Sequence, residues 1–178
     1  MFDPTAFDNM KVIIEGALYD HDMAGDINII DRNDWVNIAK MSRQFNISFT
    51  FPQDSKRTTS ATIELQSGVS NLAAELTPEF VTSKLSGAFV KLFFTLHHPN
   101  ETNYYQVIET IILDIWGHSR TITQQVEWNP LNSQETIKNV VTIDFNRMIT
   151  EEQMEDLLEM TRYMIITLEK LYEFLRVK

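Results

Sequence analysis

From Ile149 to the last residue, Lys178, the apolar positions fall in columns spaced seven residues apart. One column holds Met154, Thr161, Leu168 and Leu175, the next Leu157, Met164 and Leu171, and a third Leu158, Ile165 and Tyr172. That is a wide helical stripe rather than the two-column seam of a simple coiled coil. Thr150 and Gln153 have capping-box spacing, and Ile149 and Met154 form a hydrophobic staple. Glu151, Glu152, Glu155 and Asp156 sit at the start, and Lys170, Arg176 and Lys178 at the end, as the helix dipole favours. The pattern predicts one long helix over 150–177 that lies across a sheet. Met160 and Phe174 add part of a fourth apolar column, expected to meet a second chain. Phe174→Glu should then disturb association, and Leu168→Glu folding.

Upstream, Asp3-Pro4 opens a predicted helix whose apolar side carries Phe7, Met10, Ile13, Ile14, Ala17 and Leu18. A polar loop from 20 to 31 follows. Trp35, Ile38, Met41 and Phe45 then recur at helical spacing, so 1–45 reads as a helical segment. The period changes to two from Ile47 through Phe49 and Phe51, and again at Ala61, Ile63 and Leu65, which predicts a hairpin. Thr77-Pro78-Glu79 opens a short helix carrying Phe80, Val81 and Leu85. Val90, Leu92, Phe94 and Leu96 alternate with Phe89, Lys91, Phe93 and Thr95. The run from Tyr104 to Trp116, rich in β-branched and aromatic residues, reads as the partner strand of a hairpin over 88–116. Strands at 121–128 and 141–145 complete a meander over 46–146. The expected fold is a single α+β domain over 1–178: an antiparallel meander of about six strands, N-terminal helical segments, and a C-terminal helix packed on the sheet.

Composition narrows the partners. A net charge of −10 and scattered Lys and Arg argue against nucleic acid or an anionic membrane as partner. There is no cysteine, so disulfides and thiolate chemistry are excluded. No leader or membrane-spanning run stands out, and the expected compartment is the cytoplasm.

Candidate chemistry is sparse. Residues 20–31 resemble an EF-hand loop, with Asp20, Asp22, Asp26, Asn28 and Asp31 at ligand positions and Gly25 at the turn. Ala24 stands where an oxygen ligand belongs, and Asp31 where a bidentate Glu does. An acidic turn is therefore the first reading and a calcium site the alternative; no other cofactor is expected. His97-His98 and His118 are placed at opposite ends of the 88–116 hairpin, too far apart for a zinc site. If 121–128 pairs with 104–116, His97, Glu127, Trp128, Tyr104 and Tyr105 meet at one rim. No nucleophile elbow, phosphate loop or dinucleotide fingerprint is present.

Two readings follow. The first is a non-enzymatic interaction or assembly protein, self-associating as a homodimer or binding a protein partner. Its surface would be Phe89, Phe93, Tyr105, Trp116, Met160 and Phe174. Its outline is similar to that of SecB-type export chaperones, a likeness of architecture that implies a chaperone-like role. The second is a small-ligand or catalytic cavity between the terminal helix and a curved sheet, as in helix-grip folds.

Overall fold

The computed structural model describes residues 5–76, 85–131 and 135–177. It is built as α1 (Ala6–Ala24), β1 (Asn28–Asn37), β2 (Ser42–Thr50), β3 (Thr59–Ser67), α2 (Val69–Leu76), β4 (Gly87–His98), α3 (Thr102–Trp116), β5 (Thr121–Glu127), β6 (Ile137–Thr150) and α4 (Met154–Arg176). The six strands form one antiparallel sheet in the order β1-β2-β3-β4-β6-β5. The first four follow as a meander. The chain then crosses through α3 to the far edge, and β6 returns between β5 and β4. The α+β class, the antiparallel sheet and the long terminal helix are those expected from the sequence.

The period-two alternation decides the inner face. Phe45, Ile47 and Phe49 of β2, Ile63 and Leu65 of β3, Leu92, Phe94 and Leu96 of β4, and Val141 and Ile143 of β6 are fully buried. They form one core with Phe7, Met10, Ile14 and Leu18 of α1, Ile108 and Ile112 of α3, and Leu157, Met164, Leu168 and Leu171 of α4. Helix α4 packs against β3 and lies between α1 and α3. Its capping box forms at Thr150 and Gln153 around a 3-10 turn, Glu151–Gln153, before the helix proper begins.

That arrangement corrects the sequence reading at four places. Residues 33–45 are not a helix. They lie in β1, β2 and the tight turn between them, so the helical part of 1–45 ends at Ala24. Residues 104–116 are not a strand but helix α3, whose buried residues Tyr104, Ile108 and Ile112 sit four apart. The 88–116 hairpin therefore does not exist, and both β4 and β5 pair with β6 instead. Residues 20–31 are not a loop. Asp20 and Asp22 belong to the last turn of α1, Gly25 is its left-handed C-cap at φ 81°, and Asn28 and Asp31 stand on β1. Asp22 Oδ1 accepts a hydrogen bond from the Ile29 amide at 3.0 Å, and Asp26 pairs with His21. The five candidate calcium ligands are thus divided between a helix end, the short turn after it and a strand rather than carried by one loop.

The fourth correction concerns α4. Met160 is buried in the protein's own core. The Phe174 ring packs on Tyr104 of α3, with centroids 5.6 Å apart. Met160 is thus covered, and Phe174 half-covered, within the same chain, so Phe174→Glu also bears on intrachain packing. The start at Asp3-Pro4 and the short helix from Thr77 through Val81 lie outside the described residues. The described α1 begins after Thr5, whose hydroxyl accepts from the Asp8 amide. No helix among the described residues is long and apolar enough to cross a membrane.

Candidate interaction surface

Opposed residues of an antiparallel pair share a face of the sheet, so the strand register maps the face away from the helices. At one end it carries the row Trp35, Gln44, Gln66, Phe89 and Met148, running from β1 to β6. The next row is Asn33, Asn46, Glu64, Lys91, Asp144 and Thr121, with Lys91 paired to Asp144 at 3.2 Å. Then come Asp31, Ser48, Thr62, Phe93, Thr142 and Thr123. These three rows are polar except at Trp35, Phe89, Met148 and Phe93, and the next, Ser60, Thr95, Val140 and Gln125, adds only Val140. Gln44 and Gln66 both donate to the Glu64 carboxylate, which fixes the polar floor between the two exposed aromatics.

Trp35 is 48% exposed and Phe89 45%. Three strand spacings separate them, about 14 Å at 4.8 Å each. Beyond Trp35 the tip is more apolar still: Val36 at the end of β1, and Ile38 (82% exposed) and Met41 in the turn, all face solvent. Apolar side chains clustered at an exposed hairpin tip mark an interaction site more often than isolated ones do.

The tip is held firmly. Lys11 of α1 reaches Asp34 at 2.8 Å, Arg43 pairs with Asp8 at 2.9 Å, and Arg32 pairs with Glu15. The Arg43 guanidinium also lies 4.6 Å over the Phe7 ring. Its hydrogen bond holds the Asp8 carboxyl below the usual range. At the other end of the hairpin β2–β3, burial pushes Asp54 up. Hydrogen bonds from the amides and hydroxyls of Thr58 and Thr59 outweigh that and hold it low.

The residues expected at the surface divide between the layers. Phe89 and Phe93 stand on the open face. Tyr105 and Trp116 lie on α3, half-buried on the helical side. The Tyr105 hydroxyl donates to Asn100 at 2.7 Å, and its ring meets His98 edge-on. Trp116 donates to the Thr167 hydroxyl at 2.9 Å and packs on Phe145 and Tyr163, pinning α3 to α4. Met160 is interior and Phe174 half-buried, so of the six residues expected at the surface only Phe89 and Phe93 stand on the open face, Phe89 exposed and Phe93 half-buried.

The rim cluster forms in part, through a different pairing. His97, Lys138 and Glu127 come together because β4, β6 and β5 are adjacent. With Trp128, they line an open cleft of about 710 Å³. Glu127 is tied to Lys138 at 3.0 Å, and Tyr104 and Tyr105 are not in the lining. His97-His98 and His118 lie at the two ends of α3, whose 15 residues span about 22 Å. No group of three metal-binding side chains converges among the described residues. The core-facing residues of α4, Leu157, Met164, Leu168 and Leu171, are fully buried and line none of the clefts at the rim or hairpin.

Set against family models, curated proteins and solved structures, the chain matches none. The site therefore rests on its own geometry. The sequence reading missed Trp35, Val36, Ile38 and Met41 by placing Trp35, Ile38 and Met41 on the inner side of a helix. The signal was present: Phe45 is in phase with Ile47, Phe49 and Phe51, so the strand extends back toward the turn.

Proposed function

We propose that the protein is a non-enzymatic, chaperone-like binding protein that captures extended apolar segments of other polypeptides. The observation that carries this reading is the row from Trp35 to Phe89, with Ile38 and Met41 beside it, on a hairpin anchored by three ion pairs. Two aromatics about 14 Å apart suit side chains four residues apart on an extended chain rising ~3.4 Å per residue. The Gln44 and Gln66 amides, held in place by the buried Glu64 carboxylate, offer their remaining hydrogen-bonding groups to the segment's backbone. Rigid anchoring keeps the apolar tip presented rather than folded back, which lowers the ordering cost of binding. We assign the activity to the cytoplasm, in keeping with a sequence that contains no cysteine.

The test is fluorescence anisotropy with a dye-labelled, reduced and carboxymethylated protein that cannot refold. The parent chain should bind it. Trp35→Ser and Ile38→Asp should each weaken binding by about tenfold or more, the range of an interface anchor. Unchanged affinity in both variants would remove the proposal.

A further inference from the structure

The sheet ends in two edge strands of opposite character. β1 carries Asp31, Arg32 and Asp34 and is broken by a bulge between Ile29 and Asp31. Charges and bulges of this kind keep an edge from pairing with another chain. β5, Thr-Ile-Thr-Gln-Gln-Val-Glu, carries one charge, at its last residue, and no proline, and its ladder to β6 runs without a bulge. Its outer backbone edge is a template for a further strand. We propose that β5 pairs antiparallel with β5 of a second copy about a twofold axis through Gln124, joining the two sheets into one of twelve strands.

The faces of β5 select that register. Ile122, Gln124 and Val126 oppose Ile143, Val141 and Asn139 and point toward the helices, whereas Thr121, Thr123, Gln125 and Glu127 point away. A partner strand must match inward with inward residues, which leaves axes through a residue rather than between residues. Centred on Gln124, Ile122 meets the partner's Val126 twice over, and Thr123 meets the partner's Gln125. Thr121 meets the partner's Glu127. Every pair is apolar with apolar or polar with polar, and no like charges oppose. Shifted to Thr123, Ile122 falls opposite Gln124; shifted to Gln125, Val126 does. Both lose the apolar pairs.

Three further observations agree. Val126 is 43% exposed although it faces the helical layer, and Ile122 is only half-buried, so α3 leaves the inner side of β5 open. Arg120 lies 4.9 Å over the Phe145 ring on that same side, and its buried Nε has no hydrogen-bond partner among the described residues. Trp128, 58% exposed, would be brought by the twofold onto the partner's Arg120, completing a stack of indole, guanidinium and phenyl. The contact is self-complementary, as a twofold interface requires.

Light scattering on the full chain should give a mass twice that of the 20.7 kDa chain. Val126→Lys, which puts a charge on the inner side of the edge, should give the mass of one chain with an unchanged far-UV spectrum. Because the chain has no cysteine, Gln124→Cys should form a disulfide-linked dimer on oxidation, while Thr123→Cys and Gln125→Cys should not. If Gln124→Cys fails to fold, mixing Ile122→Cys with Val126→Cys reads the same register. A parent chain of single mass would overturn the proposal, as would a Val126→Lys dimer or cross-linking only at 123 or 125. Val126→Lys should still bind the unfolded polypeptide, so the two proposals fail separately.

Discussion

The two ends of the sheet present opposite kinds of surface. At the β1 end the backbone edge is guarded by Asp31, Arg32, Asp34 and a bulge, while apolar side chains at Trp35, Val36, Ile38 and Met41 are exposed. At the β5 end the side chains are mostly polar and uncharged, and the backbone edge itself is unguarded. A guarded edge with exposed side chains favours contacts made by side chains, which are adaptable and tolerant of many sequences. An unguarded edge favours contacts made by main-chain hydrogen bonds, which demand a register. The two proposals accordingly place different binding modes at the two ends of one sheet, capture at the hairpin and assembly at β5.

The comparison is broken most severely through the core both ends share. Leu168→Ala removes a fully buried side chain of α4 and should cost about 2–5 kcal/mol in urea unfolding, lowering binding and association together. A smaller and more selective effect is expected at Arg43, which ties the hairpin to Asp8 and covers Phe7. Arg43→Ala should cost about 1–2 kcal/mol and weaken capture of the unfolded polypeptide, while the mass by light scattering stays that of the parent. Equal loss at both ends would show that the hairpin is not an independent unit.

The gentlest perturbation is pH. His98 is buried, stacked on Tyr104 at 5.2 Å between ring centroids; its Nδ1 lies 2.8 Å from the Pro99 carbonyl and its Nε2 3.1 Å from the Asn139 amide nitrogen. Burial pushes its pKa below the ordinary 6.5. With the folded value lowered, the unfolded chain takes up the proton first as pH falls. The stability held by neutral His98 is therefore complete above about pH 6.5 and declines on acidification until the folded histidine titrates. Melting temperature should fall between pH 7 and pH 5 in the parent and less so in His98→Phe. Asn139 also donates to Gln124 of β5 at 2.8 Å, so acidification should loosen the β5 end before the hairpin.

How much of this was legible in the sequence depended on whether burial and propensity agreed. In β2, β3, β4 and β6 the alternation was strict and the inner residues are the buried ones, so both strands and face were readable. In α4, caps, charges and stripe all pointed to a helix. In α3 they conflicted: Ile, Val and Tyr favour strands, yet Tyr104, Ile108 and Ile112 keep the four-residue spacing of a helix, and packing on α4 won. In the β1–β2 hairpin, Trp35, Ile38 and Met41 mimicked a helical face because the turn places apolar residues at that spacing by chance. Their exposure, and with it the candidate site, could not be read without the pairing of Trp35 to Gln44.

Capture of unfolded polypeptide by the hairpin tip is tested most directly by the anisotropy titration of Trp35→Ser against the parent. The affinity should fall about tenfold or more with mass and melting temperature unchanged. An affinity equal to the parent's would contradict the assignment of this surface.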